Sequence, residues 1–287
     1  MIDETCNFLY HQSTYIWDKI GFSRRKKLRI SETTITEGFI FDLWQFAERA
    51  KLGIEILEAK SEKTNGNDVE IFVELGGEFA SFPCQAKIMD RNGKYVKIGH
   101  RVDPDLQIDL LISYARREGA VPGYLFYNHE VDPATLTALQ AYRAFELSHW
   151  GVSWAPAIAI DVMYFHYTRT GRKKVKKVPG FKTLHPHTGR PLADLICQML
   201  HFPKPWKTEL TDYGTKNGYE VKFRKDSTVR DDGDWSSFTP AGRIGFVTNA
   251  DLTKSVETRG KNRPDFDPKY RIVFSLERPQ RAIYSIS

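Results

Sequence analysis

Residues 65–87 constrain the fold of this chain more than any other stretch. A period of two runs through both halves of it. In the first half Val69, Ile71 and Val73 fall on one side, and Asp68, Glu70 and Glu74 on the other. In the second, Phe82, Cys84, Ala86 and Ile88 share a side, which leaves Gln85 and Lys87 together on the opposite one. The Gly76-Gly77 pair between the halves is suitable punctuation for a tight hairpin. The expected product is two adjacent strands whose polar faces join, with carboxylates on one strand and an amide plus a lysine on the other. Those groups are the minimum equipment for a magnesium-assisted attack on a phosphodiester.

Other periods surround this hairpin. Residues 3–19 predict a helix anchored by Phe8, Leu9, Tyr15 and Ile16. A second helix starts at Ser31, a suitable N-cap, and runs to residue 50 with Ile35, Phe39, Leu43, Phe46 and Ala50 along one face. Glu32 stands three residues before Ile35 and therefore on that same inward face, where charged groups are rare. The helix dipole accounts for an acid in the first turn but not for its side. Strands are expected at 52–57 and 121–127, with 94–98 extending the sheet and 157–167 the longest strand. Asp103-Pro104 opens a helix in which Gln107, Leu110, Leu111 and Tyr114 share a face, closed by Glu118-Gly119. Asp132-Pro133 opens another that ends near His149. Beyond residue 170 the pattern loosens to a helix at 192–200 and strands near 219–224, 243–248 and 270–277.

The fold class is therefore α/β, a mixed central sheet flanked by helices. The expected division is an N-terminal helix and basic linker at 1–30, a core at 31–168, and a C-terminal region at 169–287 packed on that core with no assigned role. With 41% hydrophobic and 27% charged residues among 287, the composition is that of a globular chain. Cys6, Cys84 and Cys197 lie far apart, so neither a disulfide framework nor a cysteine-rich zinc site is expected, and a reducing cytoplasm is the natural reading. The first residues lack the basic and apolar regions of a signal peptide, and no stretch approaches the roughly 18 apolar residues of a membrane span.

A net charge of +6 favours a polyanionic partner only weakly, but it is locally concentrated. Arg24, Arg25, Lys26 and Lys27 form one dense run. Arg172, Lys173, Lys174, Lys176 and Lys177 belong to another, within 169–177. Each run suits either a solvated loop or contact with phosphates. No phosphate-binding loop of the G-x-x-x-x-G-K-[ST] type occurs, so ATP-driven activity is not encoded here. His185-Pro186-His187 lacks further ligands at metal spacing and reads as a loop.

The order α-β-β-β-α-β, with Glu32 on the first helix of the core, Asp68 opening the second strand and Gln85-Ala86-Lys87 on the third, resembles the PD-(D/E)xK phosphodiesterase superfamily, the restriction-endonuclease-like fold. Gln85-Ala86-Lys87 looks like the Q-x-K variant of Mrr-type restriction nucleases. The proline of the motif is absent, Asn67 standing before Asp68, and the likeness covers about residues 31–130.

The resemblance implies a metal-dependent nuclease, with DNA as the favoured substrate and a role in restriction or phage defence. Mg²⁺ or Mn²⁺ would be held by Asp68, the Gln85 side-chain oxygen, the Ala86 carbonyl and Glu32, directly or through water. Lys87 would polarise the attacking water and offset phosphate charge. Gln107 matches a polar residue found near such sites, and Glu70 is an accessory candidate. Other readings stay open: Asp68 as an Asx-turn residue, Lys87 as an edge-strand lysine, Glu70 as a solvated position. A homodimer or a protein partner supplying recognition is compatible with this reading. The rival from another class is a catalytically silent module that binds nucleic acid or protein on the same fold. Because Asp68 and Lys87 are expected on the polar face, truncating either opens no core cavity and is expected to cost little stability.

Overall fold

The computed structural model describes residues 1–59, 68–102, 105–130, 132, 137, 146–168, 173–225, 229, 235–237 and 268–276, with Asp68 and 235–237 described by their backbone alone. Two long helices come first, α1 (Ile2–Arg25) and α2 (Glu32–Ala50). Strands β1 (Ile54–Ala59), β2 (Asp68–Glu74) and β3 (Phe79–Ile88) follow. A short pair, β4 (Arg101–Val102) and β5 (Asp105–Leu106), leads into α3 (Gln107–Glu118) and then β6 (Gly123–Tyr127). Next come β7 (Val152–Pro156), α4 (Ala157–Tyr164), and the ribbon of β8 (Phe165–Tyr167) and β9 (Lys173–Val175). The single turn α5 (Phe181–Leu184), β10 (Arg190–Pro191), α6 (Leu192–His201) and α7 (Pro203–Lys216) precede β11 (Trp235–Ser237) and β12 (Tyr270–Phe274).

Seven strands plus the two-residue edge strand β10 form one mixed sheet in the order β10-β7-β6-β3-β2-β12-β1-β11. β3 runs parallel to β6 and β12 parallel to β2, while β2 and β3 are antiparallel. The β2–β3 hairpin forms as expected. Gly76 and Gly77 take φ of +68° and +86°, a region that side chains disfavour, and the Leu75 amide donates to the Glu78 carbonyl at 2.6 Å.

Alternation along the strands separates two layers. Val69, Ile71, Val73, Phe82, Cys84 and Ala86 join a core with residues of α1, α2, α6 and α7. On the opposite face Tyr124 and Phe126 of β6 pack with Ile108, Leu111 and Ile112 of α3 and with Ile160 of α4. The polar groups of β2 and β3 lie on this second face, and α3 covers them.

Several expectations change. β12 lies between β1 and β2, antiparallel to β1 and parallel to β2. The C-terminal region is thus inside the sheet rather than packed on it. Tyr270, Arg271, Ile272, Val273 and Phe274 are all buried, as a strand flanked on both edges and both faces requires. Residues 157–164 are helical, not extended. Their buried positions, Ala157, Ile160 and Tyr164, recur at the helical spacing that a continuous apolar run conceals. Residues 94–98 contribute a 3₁₀ turn (Val96–Gly99) instead of a strand.

Residues 219–224 make one isolated bridge, Arg224 to Phe79, and the strand expected at 243–248 lies outside the described residues. Most of the helix expected from 132 also lies outside them, its end being a 3₁₀ turn, Leu147–Gly151. α1 runs on to Arg25, so Arg24 and Arg25 end a helix rather than form a linker. Cys6 of α1 and Cys197 of α6 are joined as a disulfide across 191 positions, with Cα atoms 5.7 Å apart, against the expectation of unpaired cysteines. Spacing along the chain carries no sign of such a long-range pair. Among the described residues no helix is long and apolar enough to cross a membrane.

Candidate active site

Ser31 caps α2 by accepting the Thr34 amide at 3.0 Å, which sets the first turn of the helix beside the end of β3. Glu32, 7% exposed, reaches that end: its Oε2 accepts the Ile88 amide at 3.2 Å, and its Oε1 stands 3.8 Å from Lys87 Nζ. Lys87, 3% exposed, also donates to Gln107 Oε1 at 3.2 Å, Gln107 being the first residue of α3. Glu32, Lys87 and Gln107, chosen from sequence on three separate elements, therefore meet in one place. Thr36, one turn beyond Glu32, bonds Tyr127 of β6 at 2.9 Å and ties α2 to the sheet. Burial raises the Tyr127 phenol, and the nearby Glu32 charge pushes it further in the same direction.

Gln85 is 1% exposed and shares the Lys87 face of β3. The antiparallel register sets Asp68 directly across from it, while Ala86 turns its methyl into the opposite core and lies in register with Leu125. The side chain of Asp68 lies outside the described residues. Among the described residues no group of three or more His, Cys, Asp or Glu is placed to hold a metal. Glu32 offers a carboxylate at the end of β3, Gln85 an amide on the Lys87 face of that strand, and Asp68 is its partner across the ladder. This all-oxygen set fits Mg²⁺ or Mn²⁺ in chemistry and would not suit a soft metal.

Glu70 is not a solvated strand position, because α3 and β12 enclose it. It is fully buried, pairs with Arg271 at 3.1 Å, accepts Ser81 Oγ at 2.6 Å and lies 3.3 Å from the Tyr114 hydroxyl. Burial raises the Tyr114 phenol, with the Glu70 charge adding to the effect. Arg271 and Ser81 went unrecognised in the sequence. A lone arginine in the apolar run Tyr-Arg-Ile-Val-Phe was the available signal.

The basic runs divide. Arg24 donates to the carbonyls of Met89, Asp90 and His129, a structural use that turns its guanidinium inward. Arg25, Lys26 and Lys27 are exposed. Lys173 pairs with Asp109 and Asp161, whereas Lys174, Lys176 and Lys177 are exposed; Arg172 lies outside the described residues. A third buried cluster, also missed, joins Ser153 Oγ to His185 Nε2 at 3.1 Å and to Asn128 Nδ2 at 2.9 Å. Burial pushes His185 down to about 3, so it is neutral, and its enclosure marks it as a packing device rather than a metal ligand.

These features define an α/β protein with a buried acid–lysine–amide cluster at the end of a central strand. The chain belongs to a family of unknown function, DUF6615, whose model matches residues 5–273. No curated protein and no solved structure matches it.

Proposed function

We propose that this protein is a metal-dependent nuclease hydrolysing phosphodiester bonds, with DNA favoured, and that the β2–β3 hairpin is its catalytic surface. The observation that carries the reading is the meeting of Glu32, Lys87 and Gln107 beside Gln85 and the Asp68 position. Its place supports the same view. Lys87 lies near the carboxyl end of β3, which runs parallel to β6, and open α/β sheets bind ligands outside such strand ends.

Asp68, Gln85 and Glu32 would hold Mg²⁺ or Mn²⁺, with the Ala86 carbonyl as a further donor. When bound, the metal lowers the pKa of coordinated water and neutralises charge on the phosphate. Lys87, oriented by Gln107 and restrained by Glu32, would place its ammonium against the attacking water and the developing negative charge.

The low exposure of the Lys87–Glu32 pair, 4% and 8% by side chain, favours a second reading: a buried pin in a catalytically silent binding module. Nicking of supercoiled plasmid with Mg²⁺ or Mn²⁺ separates the two. The nuclease reading expects metal-dependent nicking that Lys87→Met and Asp68→Asn each lower at least about 10²-fold. Nicking at near wild-type rate in both variants, or none by the wild type in either metal, rejects it.

A further inference from the structure

β8 and β9 form a two-stranded ribbon apart from the main sheet, and its root is firmly held. Lys173 lies between Asp109 of α3, at 2.6 Å, and Asp161 of α4, and the Arg101 guanidinium donates to its carbonyl. Phe165 is buried at the base, and the Lys173 ammonium sits 5.7 Å from its ring centre. This inward side explains one lysine of the basic run.

The other side has no such explanation. His166 pairs in register with Lys174, so these two share one face, and Lys176 follows directly after the strand. They are exposed, as are Lys177 and Tyr167, the latter by 70%. Among the described residues no ion pair neutralises Lys174, Lys176 or Lys177. Clustering ammonium groups on an anchored ribbon raises self-repulsion, which an anionic partner relieves.

The anchor also relates the ribbon to the candidate site. Gln107, which meets Lys87, and Asp109, which meets Lys173, are two residues apart in the first turn of α3. Two residues of helix advance about 3 Å and turn about 200°, so the contacts lie on opposite flanks of a cylinder roughly 10 Å across. A polyanion wrapped over that turn would reach both.

We propose that the β8–β9 ribbon is a docking surface for a run of nucleic-acid phosphates outside the scissile one, holding the strand over the first turn of α3. This rests on the nuclease reading for its purpose but not for its binding chemistry. The test is fluorescence anisotropy of a 5′-labelled oligonucleotide, as duplex and as single strand, across a salt series with full-length protein in Ca²⁺. Each phosphate contact contributes about 0.9 to the log–log salt slope on a duplex and about 0.7 on a single strand.

The variant Lys174→Ala/Lys176→Ala/Lys177→Ala, whose exposed sites leave the fold intact by circular dichroism, is expected to flatten the slope by about 2 to 3. Its plasmid KM is expected to rise at least tenfold, with kcat changed less than about twofold. A slope and affinity unchanged on both probes overturn the proposal, as does a wild type that binds neither at low salt. The two claims fail separately. Ribbon-dependent binding without cleavage in Mg²⁺ or Mn²⁺ rejects the nuclease and keeps the ribbon, whereas cleavage with an unaffected triple variant does the reverse.

Discussion

Two charged clusters lie under the same helix and are built to different rules. At the last turns of α3, Tyr114 meets Glu70, which pairs with Arg271 at 3.1 Å and takes Ser81 at 2.6 Å. At its first turn, Gln107 meets Lys87, whose ammonium is 3.8 Å from Glu32, beyond hydrogen-bond length. The first cluster lies in the sheet interior between β2 and β12. The second lies at the carboxyl end of β3, beside the first turns of α2 and α3. Close charge-assisted hydrogen bonds fasten two strands that are distant in sequence. A longer separation keeps an ammonium near a carboxylate without consuming either in the other.

The contrast breaks most visibly at Arg271. Arg271→Ala strands a fully buried Glu70 carboxylate and is expected to cost about 3–5 kcal/mol in urea unfolding. Adding Glu70→Gln to Arg271→Met should recover most of that loss. If the single change costs under about 1 kcal/mol, the pair fastens nothing.

Lys87→Met should show the opposite balance. Cleavage is expected to fall by about 10²- to 10³-fold, with a stability loss of about 1–3 kcal/mol from the carboxylate left behind. The expectation of an inexpensive polar face gives way to this one because Lys87 is buried beneath α3. Equal losses of activity in the Lys87 and Arg271 variants at matched fraction folded would erase the distinction between the clusters.

The neutral Ser153–His185–Asn128 cluster sharpens the comparison through pH. His185 is neutral in the fold, held at about 3, and ordinarily titrates near 6.5. The unfolded chain therefore binds a proton that the folded one refuses. Its stabilising contribution is complete above about 6.5 and is lost as pH falls toward 3, at up to about 1.4 kcal/mol per unit. His185→Gln should flatten that part of the stability curve and leave salt dependence unchanged. A slope that persists in the variant assigns the acid sensitivity elsewhere.

The smallest effect is expected at Gln85→Glu, which adds a carboxylate across from Asp68. The Mg²⁺ concentration for half-maximal nicking should fall by about three- to tenfold, or roughly 1 kcal/mol. If it does not move, position 85 donates nothing to the metal.

Much of the candidate site was legible because it depends on local period. Alternation placed Gln85 and Lys87 on one face, and the Gly-Gly turn predicted the hairpin. Helical spacing put Glu32 inward and set Gln107 and Tyr114 on the same side of α3, where each now meets a charged cluster. The rest was hidden for a shared reason. Residues 157–164 are apolar on most sides, so the run fits a buried strand as well as a buried helix until its neighbours are known.

The sequence alone determined which faces are apolar, where the hairpin turns, and which polar groups stand together on β3, because these follow from the pleat and from φ at two glycines. Only the tertiary structure decided that β12 enters between β1 and β2, that Arg271 rather than solvent meets Glu70, and that Cys6 joins Cys197 across 191 positions. A strand's period specifies its faces but leaves its edges open to any partner. The choice of partner is settled by the burial and charge of the whole assembled sheet.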